Sequence, residues 1–351
     1  MALFLLNNVA VKGVASCVPK EVVKNEAYPL FTPEEAFKFS TTTGVFQKRK
    51  ADAQTTSSDL CYHAADKLIS RLGWEKDSID VLLFTSQTPD YILPATSCIL
   101  QNRLGLSVDT YAMDISLGCS GWVYGFSTIA QFLAHGGMKR GLLLAGETTL
   151  KLNSEYDKSV YPLFGDAGTA TALEFDVNAK TSYFHLQTDG DGYEAIITPD
   201  GGFRNPTSEK SLIYEDFEEG IRRTRLHNRM NGMDVFAFGI LRAPQSVNKI
   251  LEYASIQREN VDYYLFHQAN LFMNEKIRKK LKLNEKQVPY SLRDFGNTSS
   301  ATIPLTITTK IREQLLHKPA KIVACGFGVG LSWGTVYIET SNIICPELIE
   351  I

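Results

Sequence analysis

The sequence predicts a layered α/β fold built as two similar halves, and three observations carry that expectation. Apolar strand-like runs alternate with segments of helical periodicity, which implies packed layers with mainly parallel pairing. The runs are near-continuously apolar, as in sheets covered on both faces. The order of segments also occurs twice along the 351 residues. Hydrophobic residues make up 44% of the chain and charged residues 21%, values ordinary for a globular protein that buries a full core.

Each half opens in the same way. Asp77-Ser78-Ile79-Asp80-Val81-Leu82-Leu83-Phe84 has a counterpart in Glu259-Asn260-Val261-Asp262-Tyr263-Tyr264-Leu265-Phe266. Both read as an acidic entry and a buried strand ending Leu-Phe. In the first half Thr110-Tyr111-Ala112-Met113-Asp114-Ile115 then reads as another buried strand, and Ser116-Leu117-Gly118 turns the chain. From Cys119 onward Val123, Phe126, Ile129, Ala130 and Leu133 recur at helical spacing until Gly136-Gly137 stops the pattern. A strand follows at 141–146. In the second half a helix at 299–316 precedes a strand at 321–326, and each half closes with an apolar strand, at 169–175 and 333–340. A boundary near 178, in the polar stretch 176–180, divides 1–178 from 179–351. No Pro- or Gly-rich linker marks it, so the halves are expected to pack together. The segment 200–232 interrupts the pattern. With Asn205-Pro206 and Arg222-Arg223-Thr224-Arg225, it reads as a solvated excursion or as a docking surface for an acidic partner.

Composition excludes several classes of function. A net charge of −3 supplies no global basic field for nucleic acid or a membrane surface. The cysteines at 17, 61, 98, 119, 325 and 345 form no Cys-x-x-Cys pair and no cluster with histidine, which argues against a disulfide framework or a zinc site. The apolar start 1–6 is short for a secretory core and lacks a basic flank. No apolar run approaches membrane-spanning length, and a reducing cytoplasm is the expected location.

Three residues carry candidate chemistry. A thiol where a strand breaks into a helix, as at Cys119, feels free backbone amides and the positive end of the helix dipole, which favour thiolate. The neighbouring glycines let another molecule come close. His267 falls where the strand of the second half should finish, and active groups of α/β sheets gather at such ends. Asn297 sits in Gly296-Asn297-Thr298-Ser299, a turn opening the helix that duplicates the one begun by Cys119. Alone, each has an ordinary reading: a small buried hydrophobe, a satisfied histidine, a tight turn. Their matched positions in a duplicated fold make the set more specific.

From about residue 9 to 340 the chain resembles the thiolase superfamily, and most closely the β-ketoacyl-acyl-carrier-protein synthase III family. The resemblance rests on residues 114–121, Phe164-Gly165-Asp166-Ala167-Gly168, His267-Gln268-Ala269-Asn270, the Gly-Asn-Thr-Ser turn and residues 327–334. It implies a homodimer of thiolase-like chains, each with two pseudo-twofold-related halves in αβαβα layers. It also implies a Cys-His-Asn set on Cys119, His267 and Asn297, and an oxyanion hole of the main-chain N–H groups of Cys119 and Val329. The implied reaction is acyl transfer to Cys119 from acyl-coenzyme A or an acyl carrier protein. Decarboxylative condensation with a malonyl thioester on acyl carrier protein follows, as in fatty acid biosynthesis. Neither a metal nor a redox cofactor is implied. Asn270 and Lys158, with Lys279 and Lys280, would contact the pantetheine arm or its carrier; Leu93, Leu150 and Phe164 would shape the acyl pocket, Leu93 by reaching across the dimer.

The chain departs from the family at several positions. Val329 stands where glycine is usual, and valine resists positive φ. Lys38 replaces an adenine-stacking tryptophan, Thr42 an arginine, and Phe272 an arginine associated with carrier docking, which points to a carrier-protein-bound or unusual starter. Other chemistries on this fold stay open: a non-decarboxylating acyltransferase, a hydrolase, or a non-catalytic partner. Ser86 stands where hydroxymethylglutaryl-coenzyme A synthases need glutamate, and Cys325 is one residue out of register for the second cysteine of thiolases.

Overall fold

The computed structural model describes residues 2–351 and consists of two mixed sheets enclosing a central pair of helices. The first sheet has six strands in the order Ile349–Glu350, Val9–Val18, Ala167–Phe175, Arg140–Glu147, Val81–Thr85 and Tyr111–Ile115. The second has five: Ala2–Leu6, Ser182–Thr188, Ser332–Thr340, Ala320–Gly328 and Tyr263–Phe266.

Between the sheets lie helix Gly121–Leu133 and a helical stretch over 302–317 whose middle turn, Ile307–Ile311, is π-helical. Val123, Phe126, Ile129 and Leu133 interlock with Ile303, Ile307 and Leu315, and both sheets contribute to the same core through Leu83, Leu143, Leu265 and Ala324. Each large side chain buried this way contributes about 1.5–3 kcal/mol. Helices Ser57–Leu72 and Thr96–Leu104 cover the outer face of the first sheet; Gly232–Tyr253 and Leu271–Lys280 cover that of the second. These are the five α and β layers the resemblance implies.

The expected mainly parallel pairing is corrected. Parallel neighbours occur where a helix carries the chain back, as for Val81–Thr85 with Tyr111–Ile115 and with Arg140–Glu147. The closing strands are antiparallel to their predecessors. Ala320–Gly328 reaches its partner through a short hairpin, and no crossover helix separates Arg140–Glu147 from Ala167–Phe175, so the returning strand must reverse. Tyr111–Ile115 is also not buried as expected. It is the sheet's edge, and Tyr111 is 41% exposed.

The boundary expected near 178 falls between the last strand of the first sheet's central block and the first of the second's. The terminal strands lie across it. Ala2–Leu6 pairs antiparallel with Ser182–Thr188, and Ile349–Glu350 pairs with Val9–Val18.

Candidate active site

Cys119 occupies the turn between the edge strand and the central helix and is 8% exposed. The strand opposite, Ala320–Gly328, comes very close. A Cβ on Gly328 would lie 2.7 Å from the Cys119 sulfur, so only glycine fits there. Asp114, first residue of the motif before the cysteine, accepts the free amides of Thr96 and Ser97 at 2.7 and 2.8 Å and thereby anchors the preceding helix, Thr96–Leu104.

His267 follows strand Tyr263–Phe266, and its amide donates to the Cys325 carbonyl at 2.9 Å. The ring packs edge-on against Phe327, with 5.6 Å between centroids. Asn297 follows Gly296, whose φ of +63° and closeness to the Leu163 carbonyl exclude a side chain. The Asn297 amide donates to Leu163 O at 2.9 Å, and its carbonyl accepts from Gly165 N at 3.0 Å. The Gly-Asn turn of one half is thus bolted to the Phe-Gly-Asp segment of the other. Asp166 of that segment accepts the amides of Ala51 and Leu150.

All three side chains line one cavity of about 840 Å³, walled mostly by apolar residues including Leu163, Phe164, Met230, Phe236 and Phe327. The Asn297 Oδ1 accepts from the Ser299 amide at 2.9 Å, which commits the carboxamide oxygen and leaves its Nδ2 as the donor. The Ser299 hydroxyl lies 3.9 Å from the Cys119 sulfur. The main-chain amides of Val329 and Cys119 act on that sulfur in favour of its thiolate. Valine is accommodated because the left-handed conformation falls on the next residue, Gly330, with φ +137°.

The other expected pocket residues divide. Asn270 lines the cavity, and its Oδ1 caps helix Leu271–Lys280 by accepting from Met273 N at 2.8 Å. Phe164 and Val329 also line it. Leu150 does not. The short turn Thr149–Lys151 directs it into a cluster with Tyr28, Val45 and Tyr161, and Thr149 and Leu152 take the wall on either side. Lys158 is likewise off the wall, its ammonium 3.3 Å from Glu35. Lys279 and Lys280 sit on the outer surface, Lys280 donating to the Ile240 carbonyl. Leu93 is 77% exposed and lines no part of its own chain's cavity.

Of the two readings of 200–232, the solvated excursion holds over most of its length, with residues 201–210 all exposed. Its C-terminal end, at Asn228, Met230 and Gly232, forms part of the cavity wall beside Ile196 and Ile197, which precede it. The arginines of its basic run are paired within the chain: Arg223 with Asp157, Arg225 with Asp200, Arg222 with Asp216. That run therefore offers an acidic partner no unpaired guanidinium. Cys325 faces the outer helices, among Val323 and Phe327, and not the cavity.

Electrostatics also revises the reading of the thiol. Burial pushes Cys119 up to about 11, against the opposing pull of the Ser299 hydroxyl and the Val329 and Cys119 amides. Desolvation outweighs the helix end, so the resting group is a thiol. Burial moves His267 the other way, to about 3, so the imidazole is neutral across the physiological range. Alkylation of Cys119 by iodoacetamide is therefore expected to rise about tenfold per pH unit from 7 to 9, with no inflection near 6.5. A rate that levels off below pH 8, measured by mass spectrometry, would contradict this.

Sequence reasoning missed three contributors. Thr302 bonds His267 Nδ1 at 2.8 Å, and Ser299 joins the sulfur to the carboxamide. Glu147, pushed up to about 7 by burial, accepts from Gln87 N, Ser86 and Thr88 and holds Gln87 at the cavity wall. The first two lie within or just after the quoted Gly-Asn-Thr-Ser turn. Glu147 carries no sequence signal beyond its place at a strand end.

A cysteine, a neutral imidazole and a carboxamide gathered on one apolar cavity, where two repeated α/β halves meet, define a thiolase-fold acyltransferase. Residues 113–191 match the family model for 3-oxoacyl-(acyl-carrier-protein) synthase III, and residues 251–340 match that for its C-terminal part. A β-ketoacyl-(acyl-carrier-protein) synthase III of Rhodopirellula baltica is 31% identical over 349 residues, covering 94% of this chain and 98% of that one. One of Clostridioides difficile is also 31% identical, over 93% of this chain and 97% of its own. The crystal structure of a 3-oxoacyl-(acyl-carrier protein) synthase from Burkholderia xenovorans superposes with a TM-score of 0.94 at 37% identity, covering 99% of each chain. The chain belongs to the β-ketoacyl-acyl-carrier-protein synthase III family.

Proposed function

We propose that Cys119 accepts an acyl group from a thioester and that the acyl-enzyme then condenses with a malonyl thioester on acyl carrier protein. The observation that carries this reading is the placement of the Cys119 sulfur, the His267 ring and the Asn297 carboxamide on one cavity. The sulfur attacks the acyl carbonyl while the amides of Cys119 and Val329 hold the oxyanion, and the carrier leaves as a thiol with the proton that the cysteine gave up. Malonyl thioester then loses carbon dioxide. His267 and Asn297 donate to its thioester oxygen and stabilise the enolate. The enolate attacks the acyl carbonyl, the β-ketoacyl thioester leaves, and the sulfur regains a proton.

Asn270 offers the pantetheine arm a carboxamide at the cavity wall. The starter arrives on a carrier protein. Lys38 and Thr42 are exposed, with no stacking or guanidinium group for a nucleotide, while Phe272, 49% exposed, stacks on Phe236. The exposed Lys276, Lys279 and Lys280 form the basic face such a carrier would meet. A homodimer is supported by Tyr91, Ile92 and Leu93, exposed at 62, 75 and 77% beside the edge-strand sheet, with Leu93 reaching a partner's acyl pocket. Six free cysteines suit a reducing cytoplasm, and no helix among the described residues is long and apolar enough to cross a membrane. Initiation of fatty acid synthesis is the role closest to the relatives' names.

Intact-mass spectrometry after exposure to a panel of acyl thioesters, followed by malonyl-carrier protein, tests the proposal. The expected sequence is an acyl adduct, then its loss with release of carbon dioxide and β-ketoacyl product. Adduct loss as free acid, or transfer to an amine or alcohol without carbon dioxide, would replace condensation by hydrolysis or simple acyl transfer. Faster acylation by acetyl-coenzyme A than by acyl-carrier protein would overturn the carrier assignment alone.

A further inference from the structure

The proposed enolate step needs His267 to present a proton to the thioester oxygen, and a neutral imidazole has one proton for two nitrogens. What decides its position is the partner of the nitrogen turned away from the substrate. In this protein that nitrogen is Nδ1, and it lies 2.8 Å from the Thr302 hydroxyl. The same hydroxyl is 2.9 Å from the Ser299 carbonyl. One hydroxyl proton therefore has two acceptors. If it goes to Ser299, Nδ1 must carry the ring proton and Nε2 is bare, unable to donate. If it goes to Nδ1, the ring proton resides on Nε2.

The Ser299 carbonyl permits the second arrangement. It already accepts the main-chain N–H of Thr302 where the short turn Ser299–Ala301 ends, so losing the hydroxyl leaves no unsatisfied group. In that arrangement Nδ1 accepts from Thr302 alone, since the ring is buried at 2% exposure and packed edge-on against Phe327. We propose that Thr302 is a positioning residue, whose hydroxyl donates to Nδ1 of His267 and fixes the Nε2–H tautomer that the decarboxylating step uses. The proposal rests on the condensing function proposed above and adds to it the group that sets the imidazole's polarity.

Thr302→Val removes the hydroxyl at nearly constant volume. The Ser299 carbonyl, which lies 2.9 Å from the same hydroxyl, then becomes the nearby acceptor for Nδ1–H, and the tautomer inverts. Carbon dioxide release from malonyl-carrier protein is expected to fall about 10- to 100-fold, while Cys119 acylation stays within about twofold, and Thr302→Ser restores release. ¹⁵N chemical shifts of His267 should show a protonated Nε2 in the wild-type protein and Thr302→Ser, and a protonated Nδ1 in Thr302→Val. Unchanged release in Thr302→Val would overturn the proposal, as would a parallel fall of both half-reactions that serine does not restore. If the wild-type protein releases no carbon dioxide at all, the condensing function fails; the ¹⁵N spectra still decide whether Thr302 sets the tautomer.

Discussion

Cys119→Ala protein incubated with an acyl thioester is expected to show no mass increase, and β-ketoacyl product should fall by at least about 10³-fold. The sulfur lies on the cavity wall, and the main-chain amides of Cys119 and Val329 act on it in favour of its thiolate. Ser299, 3.9 Å away, is no substitute: burial leaves a hydroxyl, with its far higher pKa, even less able to attack. The fold should survive, because the Cys119 side chain is small and the Gly328 backbone packs against it without hydrogen bonding to it. Malonyl-carrier protein should still lose carbon dioxide slowly in this variant, since His267 and Asn297 remain. An acyl adduct on Cys119→Ala, located by peptide mapping, would move the nucleophile elsewhere and undo the assignment.

His267→Ala and Asn297→Ala should separate the two half-reactions. Each removes one donor from the proposed enolate site, and single donors of this kind are worth about 10²–10³ in rate. Carbon dioxide release is expected to fall by that factor in each variant, while acyl-Cys119 forms at a rate within about tenfold of the wild type. Stopped acylation assays and ¹⁴CO₂ release from labelled malonyl-carrier protein make the comparison. Asn297→Ala also loses the bond to the Ser299 amide, so its effect on acylation should be the larger of the two. Equal loss of acylation and decarboxylation in His267→Ala would mean that the imidazole serves the thiol and not the enolate.

The contrast between what sequence and structure show has physical causes. The central helix was legible because Val123, Phe126, Ile129 and Leu133 repeat at its period and the glycines at 136 and 137 end it. Strand positions were legible from continuous apolar runs. Their direction was not, because direction depends on whether a crossover helix intervenes, and the stretch between 147 and 167 contains none long enough. Periodicity also could not tell the edge strand Tyr111–Ile115 from a central one, since edges differ in neighbours and not in pattern.

At the site, the three side chains could be named because each stands at a strand end or helix start. Their environment could not. Burial raises the Cys119 thiol where a helix start suggested the reverse, and burial is a property of the packed whole. The same holds for Thr302, an ordinary helix residue by sequence that becomes the partner of His267 only once the halves close. The excursion at 200–232 looked solvated because it is charged. In the fold most of it is exposed, while its basic run pairs with neighbouring carboxylates and its C-terminal end, at Asn228 and Met230, faces the cavity.

The crossing of the terminal strands has a consequence for how the duplicated molecule holds together. Neither repeat owns the whole of its sheet: the first five residues after Met1 finish the sheet of the later repeat, and the last strand finishes that of the earlier one. The repeats are mutually fastened at both ends of the polypeptide. The groups that meet between them, sulfur from one and imidazole and carboxamide from the other, are therefore held in register by hydrogen bonds far from the reacting atoms.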